Sequence, residues 1–138
     1  MSEGKVQVFS HHVGEGAEFD PGLRKYFEYC DLGIAGASNG DVVAHVVRAR
    51  EGHNATGQWH RHDCTFQMYY VLEGWARFEY AGHGVHLVKK GDCVLQPPNI
   101  VHREIEHSGD LEILEVVAPA NFETFVVEDA DVPADAAE

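Results

Sequence analysis

The sequence predicts an all-β fold, two sheets closed face to face as a jelly-roll barrel, and three observations predict it. Runs of five to ten residues rich in β-branched and aromatic side chains recur from Asp41 onward, each bounded by Gly, Asn or Asp turns. Several of these runs alternate polar and apolar positions, the period of a half-buried strand. No helical periodicity of any length and no internal repeat accompanies them.

Taken in order, residues 1–38 read as an N-terminal extension, 39–127 as the barrel and 128–138 as an acidic tail low in large apolar side chains. Lys5 to Ser10 alternates and reads as a short edge strand, and the Gly-rich stretch from His11 to Gly22 reads as loop. LRKYFEYCDLGIA mixes aromatics and charges and reads as a strand capping the barrel or as a subunit contact; Gly36 to Gly40 is a turn. DVVAHVVRAR is a barrel strand in which His45 shares a face with Val43 and Val47, as a core or pocket-wall histidine. Arg48 lies on its other face. Turned inward it would hold a substrate carboxylate bidentately, and turned outward it is a solvent or interface arginine.

QWHRH and FQMYYVLE are the next two strands. Gly74 allows the bend into WARFEY, and Ala81 to Gly84 is a hairpin turn into VHLVKK, with His83 solvated in it. Lys90, Gly91 and Asp92 turn the chain into CVLQPP. Pro97 and Pro98 cannot donate ladder hydrogen bonds and mark the strand end. VHREIEH then alternates strictly, so that His102, Glu104 and Glu106 share one face and His107 takes the other. LEILEVVAPA and NFETFVVE complete the barrel.

The stretch from His60 to His102 carries the chemistry. In an extended strand His60 and His62 point the same way while Trp59 and Arg61 point the other, and two such imidazoles with donors from neighbouring strands can meet at one point. His60, His62, Gln67 and Gly74 form one spaced motif, and Gly91, Pro97, Asn99 and His102 a second. In order and spacing these resemble the two conserved motifs of the cupin superfamily, with Gln67 where the family usually has Glu and Asn99 where it usually has Gly. The usual early glycine is also replaced, by Asn54. Asn tolerates a left-handed turn, so that second departure is mild.

The resemblance implies a double-stranded β-helix and a metal site of His60, His62, Gln67 and His102. It also implies an enzyme acting on a small organic molecule by dioxygenase, isomerase, lyase or decarboxylase chemistry, in a homodimer. Imidazole-rich sites suit Fe, Mn, Ni, Zn or Cu, and the sequence does not choose among them. Loss of the usual Glu leaves two readings: a strong Lewis-acid ion, its charge uncompensated by neutral ligands, or a decayed site. Glutamine at this position also occurs in metal-binding cupins, including manganese-type hydroxynitrile lyases.

Glu104, carried inward with His102, is the candidate for proton transfer, or else a partner that orients His60 or His62. Tyr69 shares a face with Gln67 and lines the same cavity, as wall or as general acid. Cys64 is a small loop residue that would coordinate only as a thiolate. The rival function is a non-catalytic small-molecule sensor.

Composition limits the remaining classes. At 138 residues the chain is one domain, and its net charge of -13 opposes nucleic-acid or anionic-membrane partners. Cys30, Cys64 and Cys93 are odd in number and form no CxxC pair, which opposes a disulfide framework and, with no signal-like apolar stretch, gives the expectation of a cytoplasmic protein. Trp59, Arg61 and the Tyr26–Tyr29 region offer aromatics and arginine to a dimer interface.

Overall fold

Alternating strands leave one apolar face each, and the chain buries those faces against one another in two antiparallel sheets. The computed structural model describes residues 6–22, 24–50 and 52–133. The strands are β1 (Asp20–Pro21), β2 (Phe27–Asp31), β3 (Val43–Ala49), β4 (His60–Asp63), β5 (Phe66–Glu73), β6 (Trp75–Tyr80), β7 (Gly84–Lys89), β8 (Cys93–Leu95), β9 (His102–His107), β10 (Glu112–Ala118) and β11 (Glu123–Val126). One sheet runs β1-β2-β3-β10-β5-β8 and the other β11-β4-β9-β6-β7. Sequence neighbours thus lie in opposite sheets at several crossovers, the arrangement of a jelly roll.

The core lies between the sheets. Val47, Tyr69, Val71, Leu111 and Val117 are fully buried there, with Phe27, Phe78 and Tyr80 packed beside them. Each aliphatic side chain contributes on the order of 1.5–3 kcal/mol by leaving water. Of the aromatics expected at a dimer surface, Tyr26 and Phe27 belong to this interior, and Trp59 is buried outside that cluster. The Arg103 guanidinium covers the Trp59 ring at 4.5 Å. Arg48 faces outward, its Nε donating to Glu28 at 2.5 Å, so it is not a pocket residue.

Two glycine-type positions fix the crossovers. Gly74 has φ +76°, and a Cβ there would fall 2.3 Å from Ser108 Oγ and 2.9 Å from Leu111 Cα. Asn99 has φ 64°, the left-handed conformation expected of it, and its backbone N–H reaches the His62 carbonyl at 2.9 Å.

Three local expectations fail. Residues 6–10 form no strand, and Lys5 lies outside the described residues. Ile34–Ala37 makes one helical turn where the end of a capping strand or subunit-contact segment and the start of a turn were expected, closed by the Ser38 N–H on the Ile34 carbonyl at 2.8 Å. The alternation of β9 breaks at a β-bulge opposite Arg77 and Phe78: Phe78 pairs with Glu104 but Arg77 with Glu106, which leaves Ile105 as the extra residue. Glu106 is therefore exposed and bonded to Arg77, and the His107 side chain turns inside. Of the acidic tail, Asp129–Asp131 forms a 3₁₀ turn and residues 134–138 lie outside the described residues.

Candidate metal centre

The β4–β9 pairing sets His60 directly opposite His102, and His62 follows one pleat along on the same face. The ring centroids are 4.2 Å apart for His60 and His102, 5.0 Å for His60 and His62, and 5.1 Å for His62 and His102. Ligand nitrogens of the three lie within 4.8 Å of one another, the one such group among the described residues.

Their tautomers follow from their partners. The Nδ1–H groups of His60 and His102 donate to the carbonyls of Gln58 and Ile100, at 3.0 and 2.9 Å. His62 Nδ1 meets the Thr124 hydroxyl at 2.7 Å, across the β4–β11 register. His60 and His102 thereby keep Nε2 as their remaining lone pair, the form a metal takes, and His62 does the same when its Nδ1–H donates to the Thr124 hydroxyl. Burial lowers all three pKa values, His60 to about 2 with help from His102 and Arg24, and His62 and His102 to about 4. Three neutral imidazoles with ring nitrogens converging on one point fit a divalent transition ion.

Gln67 lines the same cavity from β5, 3% exposed. Its Nε2 donates to Glu115 Oε2 at 2.6 Å, which leaves the amide oxygen as the atom able to meet a cation. Glu115 also accepts from His45 Nε2 at 2.6 Å. Burial pushes the Glu115 carboxyl up, but His45 and Gln67 pull it down further, and it ends below the usual carboxylate range. This corrects the expectation of an uncompensated ion: a carboxylate sits one hydrogen bond behind Gln67. His45, read as a core or pocket-wall histidine, is the donor that holds Glu115 from behind.

Glu104 is 2% exposed and lines the cavity as its strand position requires. It does not orient His60 or His62. Its Oε2 accepts from His107 Nδ1 at 2.6 Å, a contact that exists because the bulge turned His107 inward, and its Oε1 is buried without a partner. Burial raises its pKa against the pull of His107. Tyr69 also lines the cavity, but its proton is engaged. Tyr80 donates to Gln96 Oε1 at 2.7 Å, so Tyr69 donates to the Tyr80 oxygen at 3.0 Å, and burial raises both phenols. Cys64 is buried and outside the histidine group, its thiol pushed up by burial.

Sequence reasoning missed Glu115, Thr124, Gln96 and Arg24. Ile113, Glu115 and Val117 share a face, and the buried Ile113 and Val117 flank Glu115, so alternation carried that signal. Arg24 comes from the β1–β2 connection, where no period applies.

A double-sheet barrel with a histidine-rich group on its inner wall defines an architectural class, the small jelly-roll barrels with a cavity between their sheets. The chain belongs to the cupin domain family, whose model matches residues 46–117, just over half of its length. Among solved structures it resembles the polyketide cyclase RemF from Streptomyces resistomycificus, with TM-score 0.71 and 18% identity over 91% of this chain and 90% of that one. KdgF from a Halomonas species gives TM-score 0.64 and 19% identity over 80% and 94%. A Streptomyces Pac13 variant with uridine gives 0.63 and 18% over 88% and 92%. Pac13 is described as a nucleoside dehydratase. At such identities these likenesses speak for the fold. No curated protein matches the chain.

Proposed function

We propose that this cupin is a metal-dependent enzyme on a small organic molecule, of isomerase or lyase type, with His60, His62, Gln67 and His102 as ligands. The observation that carries the reading is the convergence of three buried histidines on one cavity, with carbonyls holding the Nδ1–H of His60 and His102 so that their Nε2 lone pairs face it. A divalent ion there would polarise a substrate oxygen. Glu104 is the proposed base. Its free Oε1 takes a proton from a C–H beside a carbonyl while His107 holds Oε2; the C–H electron pair becomes the C=C of an enolate, and the carbonyl π pair comes to rest on oxygen as its negative charge. Tyr69, tied into the Tyr80–Gln96 chain, shapes the wall.

Proton transfer is favoured over oxygenation because a buried carboxylate with a free oxygen stands in the cavity, and oxygenation requires no such group. The named neighbours, a cyclase and a dehydratase, support non-oxidative chemistry by analogy alone. The reading includes a cytoplasmic homodimer, supported by three unpaired thiols and by exposed Val6, Val8, Phe9 and Val13 near the N-terminus. No helix among the described residues is long and apolar enough to cross a membrane.

The test is exchange in D₂O. Metal-loaded protein is incubated with a panel of small hydroxy and carbonyl compounds, and deuterium uptake at carbon is followed by NMR beside O₂ consumption. Deuterium uptake without O₂ loss, abolished in Glu104→Gln at unchanged metal content, is expected. O₂ uptake would point to oxygenation, and binding without either reaction would favour the sensor.

A further inference from the structure

Among the described residues, two buried side-chain nitrogen or oxygen atoms have no hydrogen-bond partner: Nη2 of Arg24 and Oε1 of Glu104. Both residues line the cavity that holds the three histidines. An unsatisfied buried donor on a guanidinium and an unsatisfied acceptor on a carboxylate each carry the uncompensated desolvation of a charged group. Such a cost survives where a ligand removes it. The two groups do not satisfy each other: no ion pair joins them within 4.0 Å among the described residues, although the Arg24 charge reaches Glu104, His60, His62 and His102.

The placement of Arg24 is built rather than incidental. It stands in the connection between β1 and β2, where Asp20 pairs with Tyr29 and Pro21 with Glu28. A Cβ on Gly22 would fall 2.3 Å from the Tyr29 ring, so only glycine lets the chain cross that ring closely. The Arg24 carbonyl then accepts from the Phe27 N–H at 3.2 Å and closes the turn. Half-buried by this hairpin, the guanidinium joins the cavity wall instead of turning to solvent.

We propose that Arg24 is the carboxylate-binding residue of this cavity, and that the molecule taken is a small hydroxy-carboxylate whose carboxylate meets the guanidinium and whose hydroxyl donates to Glu104. The inference rests on the reading of the cavity as the functional site. A planar guanidinium matches a carboxylate with two parallel N–H bonds. Glu104 Oε1 is an acceptor only, so the same molecule must bring a donor, which a hydroxyl does. The cavity is small, ≈ 80 Å³, which suits a two- or three-carbon acid better than a phosphate ester.

Glycolate, its neutral isostere glycolamide and inorganic phosphate are titrated calorimetrically into wild type, Arg24→Ala and Arg24→Lys, each metal-free and zinc-loaded. Glycolate should bind wild type at least about tenfold more tightly than glycolamide or phosphate. Arg24→Ala should weaken glycolate by about 10- to 100-fold with zinc stoichiometry unchanged, and Arg24→Lys should fall between. Equal glycolate affinity in wild type and Arg24→Ala, equal or tighter binding of glycolamide or phosphate, or no glycolate binding in either metal state would overturn the proposal. The glycolate–glycolamide comparison on wild type needs no variant. Failure to take up zinc, or iron, manganese, nickel or copper supplied in its place, with Arg24-dependent glycolate binding retained in the metal-free protein, would sink the metal reading and leave this inference standing.

Discussion

Glu115 exerts more control over the candidate centre than its distance from the imidazoles suggests. It holds the Gln67 amide nitrogen, which turns the amide oxygen toward any cation, and it returns a negative charge that the neutral donors lack. Glu115→Gln keeps the shape and removes the charge. Metal affinity is expected to fall about 10- to 100-fold, read by competition with a chromogenic chelator, while the three histidines stay in place. Unchanged affinity would mean that Gln67 is wall and not ligand. At this scale the sequence was informative wherever spacing encodes geometry: the two-residue step from His60 to His62 and the position of His102 placed three rings in one cavity. It was silent on Arg24 because a turn has no period. It placed Glu104 in the cavity but missed its partner, His107, three positions along, which a regular strand would point outward.

At the scale of elements, the bulge in β9 and the glycine between β5 and β6 set what faces the cavity. Ile105 absorbs one position of register, and with it His107 enters the interior, where its ring lies 5.9 Å from that of Tyr26 and 5.3 Å from that of Phe27. Strict alternation in VHREIEH hid this, since a bulge is a two-strand property that one strand's sequence does not carry. The strands themselves were legible, FQMYYVLE matching β5 over Phe66–Glu73, because β-branched and aromatic runs between turn residues have few other folds open to them. Gly74→Ala tests the crossover. A Cβ would meet Ser108 and Leu111 at a left-handed φ, so the variant should lose more than about 1 kcal/mol in urea denaturation. A midpoint equal to wild type would show that the bend relaxes at no cost.

For the whole molecule, a barrel that holds three neutral imidazoles inside its core ties its stability to pH. Folded pKa values of about 4 for His62 and His102 and about 2 for His60 lie below the ordinary 6.5. The unfolded chain therefore takes up more protons than the folded one as pH falls below about 6.5, and stability is lost from there down through pH 4, with His60 extending the loss toward pH 2. Glu104, raised by burial, offsets part of it. At pH 5 the loss is on the order of 2 kcal/mol per imidazole. The melting temperature of metal-free protein should drop clearly between pH 7 and pH 5, and a flat profile would contradict the buried neutral rings. The central claim is that His60, His62 and His102 grip one cation together, and elemental analysis of protein purified without an affinity tag tests it most directly. The expected result is close to one transition-metal ion per chain in wild type and little in His62→Ala. Full stoichiometry in that variant, or a wild type that takes up no ion when supplied with iron, manganese, nickel, zinc and copper in turn, would contradict it.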